Sequence, residues 1–279
     1  MNPIRLGLAS RSKSVALADL VKVASAIALQ VARDFLPIWN VMATVSALAD
    51  PDSIPPGVWP IFVTDDAVGS NLAGLHLNKA GQPYALIQAG ATWSLTASHE
   101  CLEMLVDPTG NRLAVSTGID VVDGKIIDTP ERKFSYIVEV GDPSEDPKYA
   151  YLIDDVLVSD FYTPHFFDTV ASSGIRYSFT GSITQPRQIL DNGYISWLSA
   201  DMDTLFQLQN FAGAPQILSG NPATGGRGSL RGASDTLANM PVKFSDVNRQ
   251  TAAGGFAEKR AEWLSQASAA HASTYNWLR

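Results

Sequence analysis

The amino-acid sequence predicts an α+β fold: an N-terminal helix, a mixed and mostly antiparallel sheet, a second helix that carries a His-Glu motif, and a C-terminal extension. Three observations support this prediction. Apolar residues recur at three- and four-residue spacing through residues 15–36, as on an amphipathic helix. Short apolar runs bounded by Gly, Pro and Asp follow in residues 59–89 and predict strands. Residues 96–107 then have helical character, and Pro108 ends that segment.

Composition limits the classes of protein to which the chain can belong. Its 279 residues, 46% of them hydrophobic, suffice for one large domain or for one domain with appendages. With 20 basic and 28 acidic residues and no basic run, the chain lacks the positive surface that general nucleic-acid binding requires. The single cysteine, Cys101, excludes an intramolecular disulfide framework and a multi-thiolate zinc site. We expect Cys101 to be a small buried hydrophobic residue.

The apolar segment at residues 15–36 resembles a signal peptide or a membrane span only superficially. Four charged residues interrupt it, namely Asp19, Lys22, Arg33 and Asp34. We therefore expect no secretory signal, no membrane partner and a cytoplasmic location. Pro37 ends this helix, and the strands predicted after it are residues 39–48, 59–64, 73–78 and 84–89. Further along the chain we predict a hairpin around residues 121–127, a hairpin with its turn at Asp154 and Asp155, and strands at residues 175–183 and 193–197.

The motif helix contains the arrangement His-Glu-x-x-Glu. His99 and Glu103 are four residues apart and therefore lie on one face, one turn from each other, while Glu100 points sideways. A zinc ion accepts an imidazole nitrogen and a carboxylate oxygen at about 2.0–2.2 Å, and a glutamate beside the first ligand can accept a proton from water at the metal. The alternative is that an amphipathic helix of an acidic protein carries these three residues by chance.

The third metal ligand must come from another element. Asp107 is two helical turns from His99, roughly 12 Å along the axis at 1.5 Å per residue, so we expect it to cap the helix end or to support the ligands. Residues 134–140 alternate as a strand in which Glu139 is the lone charge, and Asp142 lies in the turn that follows. We predict Glu139 first and Asp142 second as the third ligand.

Three further side chains are candidates for weaker roles. His76 alternates with Leu75 and Leu77 in a predicted strand, and we expect it at the sheet surface or supporting a ligand. His165 follows a proline among aromatic residues; it is either a catalytic donor to the substrate or a packed loop histidine. Tyr162 is a candidate catalytic residue that would donate a hydrogen bond to an oxyanion.

The chain divides into three predicted parts. Residues 1–210 form the metal-binding domain, residues 211–255 a Gly- and Ser-rich loop or linker, and residues 256–279 a C-terminal helix. Arg227 and Arg231 in the linker do not match the glycine pattern of a phosphate-binding loop. The terminal helix is expected to dock on the domain, on a partner protein or on a second copy of the chain.

Four segments together carry a resemblance to a known family: residues 28–39, 93–108, 139–145 and 156–164. Across about residues 15–200 the chain resembles a family of largely uncharacterised bacterial and phage-associated proteins. The resemblance implies a zincin-like metallopeptidase with glutamate in place of the second histidine. In the zincin layout an edge strand before the active-site helix pairs with extended substrate, and residues 84–89 are expected to be that edge. The family is expected to have cysteine where this chain has Gly141.

The sequence thus predicts a Zn²⁺ site held by His99, Glu103 and either Glu139 or Asp142, with Glu100 as general base and a peptide or protein as substrate. Two carboxylate ligands lower the net charge of the ion and weaken it as a Lewis acid, so slow or restricted activity is expected. The alternative is a non-catalytic binding or structural protein, phage- or assembly-related, that keeps the same fold.

Overall fold

The computed structural model describes residues 3–66, 73–199, 201–211, 214–221 and 229–238. Within those residues the fold is α+β, with two five-stranded sheets, one two-stranded sheet and four α helices. In chain order the elements are β1 (Ile4–Ser10), α1 (Leu17–Leu29), a π-helical segment (Gln30–Phe35), α2 (Leu36–Trp39), β2 (Ala43–Ala47), β3 (Val58–Thr64), β4 (Gly74–Lys79), β5 (Gln82–Gln88), α3 (Trp93–Val106), β6 (Leu113–Val122), β7 (Lys125–Ile137), 3₁₀ helices Asp142–Ser144 and Pro147–Tyr149, β8 (Tyr151–Ile153), β9 (Val156–Val158), 3₁₀ helix Pro164–Phe167, β10 (Tyr194–Leu198), β11 (Leu205–Gln209), β12 (Gln216–Gly220) and α4 (Leu230–Ala238).

The first sheet has the strand order β2-β1-β3-β5-β4. Its pairs β1–β2, β1–β3 and β3–β5 are parallel, and only β4 runs antiparallel to its neighbour β5. The prediction of a mostly antiparallel sheet is therefore wrong for this sheet. Helix α1 supplies the crossover that a parallel pair requires between β1 and β2. Strand β1, which was not among the predicted strands, lies in the interior of the sheet.

The edge of this sheet beside the motif helix is β4, not the predicted segment at residues 84–89. Strand β5 lies inside the sheet between β3 and β4. The two strands form a hairpin whose turn residues Ala80 and Gly81 have φ angles of 52° and 85°. Turns with two such residues match the twist of paired strands, so β4 folds tightly onto the outside of β5.

The second sheet, β12-β11-β10-β7-β6, is antiparallel throughout. The hairpin predicted around Asp123 and Gly124 joins β6 and β7, and both turn residues have positive φ. The hairpin predicted with its turn at residues 154–155 forms as β8 and β9. Residues 175–183 were predicted as a strand but contain only one isolated bridge, between Ser178 and Tyr162.

Part of the predicted linker at residues 211–255 is ordered secondary structure. Strand β12 completes the second sheet, and α4 packs its apolar residues Leu230, Ala233 and Leu237 against Ile137 and Leu198. These residues have helical spacing, but the neighbouring sequence is rich in glycine and serine. Burial against the sheet is therefore what distinguishes this helix from a linker. The helix predicted at residues 256–279 lies outside the described residues.

A buried hydrogen-bond network joins the end of helix α1 to the motif helix α3. Gln30 is fully buried, and its side-chain amide donates to the Tyr151 hydroxyl (3.0 Å) and to the Ser159 carbonyl (2.9 Å). Ser98, beside His99, donates to Gln30 Oε1 at 2.7 Å. The network fixes the rotation of α3 relative to the rest of the core. None of the described helices has the length and apolar character needed to cross a lipid bilayer.

Replacing Gln30 with leucine should lower the free energy of unfolding by about 2–4 kcal/mol, because the Ser159 carbonyl and the Ser98 hydroxyl lose buried partners. Urea denaturation measures the change. Ser25→Ala, at an exposed position of the same helix, is the control and should change stability by no more than about 0.5 kcal/mol. Equal stabilities of the two variants would contradict a structural role for the network.

Candidate metal centre

Helix α3 positions the His-Glu-x-x-Glu residues as the sequence predicts. His99 Nε2 lies 3.2 Å from Glu103 Oε1, one turn further along the helix. Glu103 is fully buried, whereas 12% of the His99 side chain remains exposed. The helix is buried along most of its length between the first sheet and the β8–β9 hairpin, so its polar side chains face the interior of the protein. The pair therefore forms a deep site with limited access to solvent.

Asp142 is the third group at this site. It lies in the 3₁₀ helix after β7, and its Oδ1 is 3.3 Å from His99 Nε2. One ligand atom from each of His99, Glu103 and Asp142 lies within 4.8 Å of the other two. Asp142 Oδ1 is buried and has no hydrogen-bond partner among the described residues. An imidazole nitrogen and two carboxylate oxygens that converge in this way suit a zinc ion.

In the structure Asp142 lies beside His99, whereas Glu139, which the sequence analysis predicted first as the third ligand, does not. Glu139 is also buried, but its Oε2 lies 3.0 Å from Arg231 Nε. The turn between the two acidic residues explains the difference. The backbone N–H of Gly141 donates to Glu103 Oε1 at 3.1 Å, which holds the turn against α3 and brings the next residue, Asp142, to the histidine.

Arg231 of helix α4 enters the same region, which the sequence analysis did not predict. Its Nη2 lies 2.9 Å from both Glu100 Oε2 and Glu103 Oε2, and its Nε lies 3.6 Å from Asp235 Oδ1 in addition to the contact with Glu139. Only 3% of the Arg231 side chain is exposed. In the sequence this arginine stands in a glycine-rich stretch, where its four-residue spacing from Asp235 and the spacing of the apolar residues are the local signals of a helix.

Among the residues that the structure describes, buried carboxyl groups outnumber buried basic side chains in this region. Five buried carboxyl groups contact Arg231 or His99, namely Glu100, Glu103, Glu139, Asp142 and Asp235. Burial, and then the charge of Glu103, raises the pKa of Glu139 well above its usual value and that of Asp142 to about 7. Within the described residues Arg231 is the one arginine that contacts these groups, so protons or a further cation would balance the remaining charge.

The same carboxyl groups also shift the pKa values of His99 and Glu100. Burial by itself lowers the pKa of His99, but the charge of Glu103 and the side-chain interaction with Asp142 outweigh it and raise that pKa well above the ordinary value. Burial raises the pKa of Glu100 as well, although the neighbouring His99 opposes the shift. A metal ion that binds at this site would therefore have to displace the proton from His99.

His76 of strand β4 is buried against α3, so the prediction of a sheet-surface position is wrong and the supporting position fits better. Its Nε2 lies 3.0 Å from the Asp107 carbonyl oxygen, and its Nδ1 lies 3.5 Å from Glu100 Oε2 and 4.0 Å from Glu103 Oε2. Asp107 is the C-cap residue of α3, as expected, since its backbone N–H donates to the Glu103 carbonyl at 2.7 Å. Its carboxylate accepts from the backbone N–H of Arg112 at 2.6 Å and so holds the loop that follows.

The two other predicted catalytic residues lie in different environments. Tyr162 is buried, and its backbone N–H donates to the Val140 carbonyl at 2.8 Å, which places it beside the segment that carries Glu139 and Asp142. Burial, followed by the charges of these two residues, raises the pKa of Tyr162 well above the usual value. His165 is exposed, and its Nδ1 lies 2.8 Å from Asp168 Oδ2. The 3₁₀ helix Pro164–Phe167 directs Phe166 into the core and His165 outward. No contact within the described residues joins His165 to His99, and its exposed side chain is not packed as the alternative expected.

Gly141 lies directly against the His99 ring. A Cβ at residue 141 would lie 2.4 Å from His99 Nδ1 and 2.7 Å from Cε1. The cysteine that the family resemblance leads one to expect here would therefore require the imidazole to move. Glycine permits the close approach of the backbone that the observed site needs.

Comparison of the chain with protein-family models, with curated proteins and with solved structures found no match. The resemblance to a zincin-like family accordingly remains an expectation. What the protein does must be inferred from the chemistry of the residues around α3.

Gly141→Ala should weaken Zn²⁺ binding about 10- to 100-fold, because the added methyl group displaces the His99 ring from Glu103 and Asp142. Competition with a chromogenic chelator measures the affinity. Gly90→Ala is the matched control, since a Cβ there meets nothing within 4 Å. Equal affinity of both variants would show that His99 binds no metal in the observed orientation.

Zn²⁺ affinity should rise steeply between pH 6 and pH 8. Asp142, whose pKa is about 7, and His99, whose pKa is raised, must both lose protons before they can bind the ion. Each displaced proton contributes roughly a tenfold change per pH unit on the acid side of its pKa. The same chelator competition at several pH values tests this. Asp142→Asn should reduce the slope, and a pH-independent affinity would contradict the assignment of these ligands.

Proposed function

We propose that this chain is a zinc-dependent hydrolase of zincin-like architecture that acts on peptides. One observation carries the proposal: His99 Nε2, Glu103 Oε1 and Asp142 Oδ1 converge at one partly accessible point. Catalytic zinc sites characteristically have three protein ligands and leave one position for water or substrate. A bound zinc ion would polarise a carbonyl oxygen and make water more acidic.

Glu100 is the residue proposed to accept the proton during hydrolysis. It follows the first ligand in the chain, and its pKa is raised well above the usual value, mainly by burial. A carboxylate whose pKa moves toward neutrality is a better general base than an exposed one. Tyr162 is proposed to donate a hydrogen bond to the oxyanion, since its raised pKa keeps the hydroxyl protonated.

Peptides are the proposed substrates because of the sheet that precedes α3. Strand β4 is at the edge of the first sheet and packs beside the motif helix, and no described strand pairs with its outer side. An extended peptide can add to such an edge through main-chain hydrogen bonds. A mixed sheet whose edge strand precedes a His-Glu helix supports the zincin-like layout.

A non-catalytic binding or structural role is the second candidate, and Arg231 favours it. The guanidinium group pairs with Glu100 at 2.9 Å, and a paired, buried glutamate cannot accept a proton from a substrate water. Hydrolysis therefore requires Arg231 to leave Glu100. If Arg231 never leaves, a bound ion has a structural purpose only.

Zinc content and peptide cleavage measured on the same preparations separate the two candidates. Wild type and Glu100→Gln should both bind zinc, and Glu100→Gln should cleave a peptide library about 10²- to 10⁴-fold more slowly because the base is lost. His99→Ala should lose both the zinc and the cleavage. Glu131→Gln, at an exposed position of β7, is the control and should match wild type.

Bound zinc without cleavage that depends on Glu100 would support the structural candidate. Absence of zinc from wild type, after dialysis against the metal at pH 8, would overturn the metal centre itself.

A further inference from the structure

The hydrogen bonding of His76 fixes which of its ring nitrogens carries the proton. Nε2 lies 3.0 Å from the carbonyl oxygen of Asp107, which can only accept a hydrogen bond. Nε2 is therefore the donor. In the neutral ring Nδ1 then carries a lone pair. A histidine held by a backbone carbonyl through one nitrogen, with the other nitrogen free, is the usual arrangement of a metal ligand.

The free nitrogen of His76 faces two carboxylates. Nδ1 is buried and has no hydrogen-bond partner in the described part of the chain, and it lies 3.5 Å from Glu100 Oε2 and 4.0 Å from Glu103 Oε2. One ligand atom from each of these three residues lies within 4.8 Å of the others. Three electron-rich atoms directed at one buried point repel one another unless a cation lies between them.

Arg231 supplies positive charge to the carboxylates of this group. Its Nη2 lies 2.9 Å from each of the oxygens Glu100 Oε2 and Glu103 Oε2, the same two atoms that His76 faces. The arginine reaches them from α4, whose first turn is held by two hydrogen bonds, from Arg231 N to the Gly110 carbonyl (3.0 Å) and from Leu230 N to Asn111 Oδ1 (3.1 Å). A guanidinium group thus meets the oxygens that a metal ion would use.

We propose that His76, Glu100 and Glu103 form a second divalent-cation site, and that Arg231 binds its carboxylates when no ion is present. Glu103 joins the two sites, because its Oε1 faces His99 and its Oε2 faces His76. An imidazole nitrogen and two carboxylate oxygens again suit zinc or a similar transition metal. An ion in this site uses Glu100 as a ligand, so the proton transfer proposed for Glu100 requires that neither a second ion nor Arg231 is bound to it.

The experiment counts the Zn²⁺ ions that the full chain binds at pH 8, by elemental analysis after equilibrium dialysis. Arg231→Met should bind one equivalent more than wild type, because the competing cation is gone while the volume of the side chain is largely kept. Arg231→Lys keeps the charge and should bind the same number as wild type. His76→Ala in the Arg231→Met background should remove the additional equivalent, and His99→Ala in that background should leave it bound.

The proposal is overturned if folded Arg231→Met binds no more zinc than wild type, or if the additional ion remains after His76→Ala. The test compares the number of zinc ions bound by the variant and by wild type. This difference can be measured even if the His99 site binds no zinc and the function proposed above is wrong. If the Arg231 variant does not fold by circular dichroism, wild type titrated with Zn²⁺ gives the answer by NMR of labelled histidine. The His76 signals should shift in a second step after those of His99, and His76 signals that stay unchanged at millimolar Zn²⁺ would refute the site.

Discussion

In the described part of the chain, buried carboxyl groups outnumber buried basic side chains beside helix α3, and the structure of this region depends on how their charge is balanced. Five buried carboxyl groups converge there, and Arg231 is the only arginine or lysine that pairs with them among the described residues. Such an arrangement is costly unless protons or cations balance it. The raised pKa values of Glu100, Glu139 and Asp142 express this cost, and a bound metal ion would relieve it.

The fold assembles this region from four distant parts of the chain. Strand β4 contributes His76, helix α3 contributes His99 and two glutamates, the turn after β7 contributes Asp142, and helix α4 contributes Arg231. The Gln30 network and the apolar contacts of α4 hold these elements together away from the charged groups. Apolar packing and buried hydrogen bonds thus offset the unfavourable placement of the acids.

The two faces of Glu103 connect the proposed hydrolytic centre with the proposed second cation site. Glu103 Oε1 lies beside His99 in the site that includes Asp142, and Glu103 Oε2 lies beside His76 and Arg231. A cation that binds in one of the two sites therefore changes the electrostatic potential at the other site. The occupancy of the two sides and the position of Arg231 are therefore linked, whether the protein is an enzyme or a binding protein.

The sequence by itself determined the α+β class, helix α3 with His99 and Glu103 one turn apart, and the two hairpins at residues 123–124 and 154–155, because local spacing and turn chemistry fix these features. The parallel pairing of the first sheet, the edge position of β4 and helix α4 were decided only by the tertiary structure, since each depends on which distant segments bury one another's apolar surfaces. The same holds for the choice of Asp142 over Glu139 and for the roles of His76 and Arg231. A side chain's chemistry can be read from the sequence, but the charge and burial that surround it come from residues that are far away along the chain.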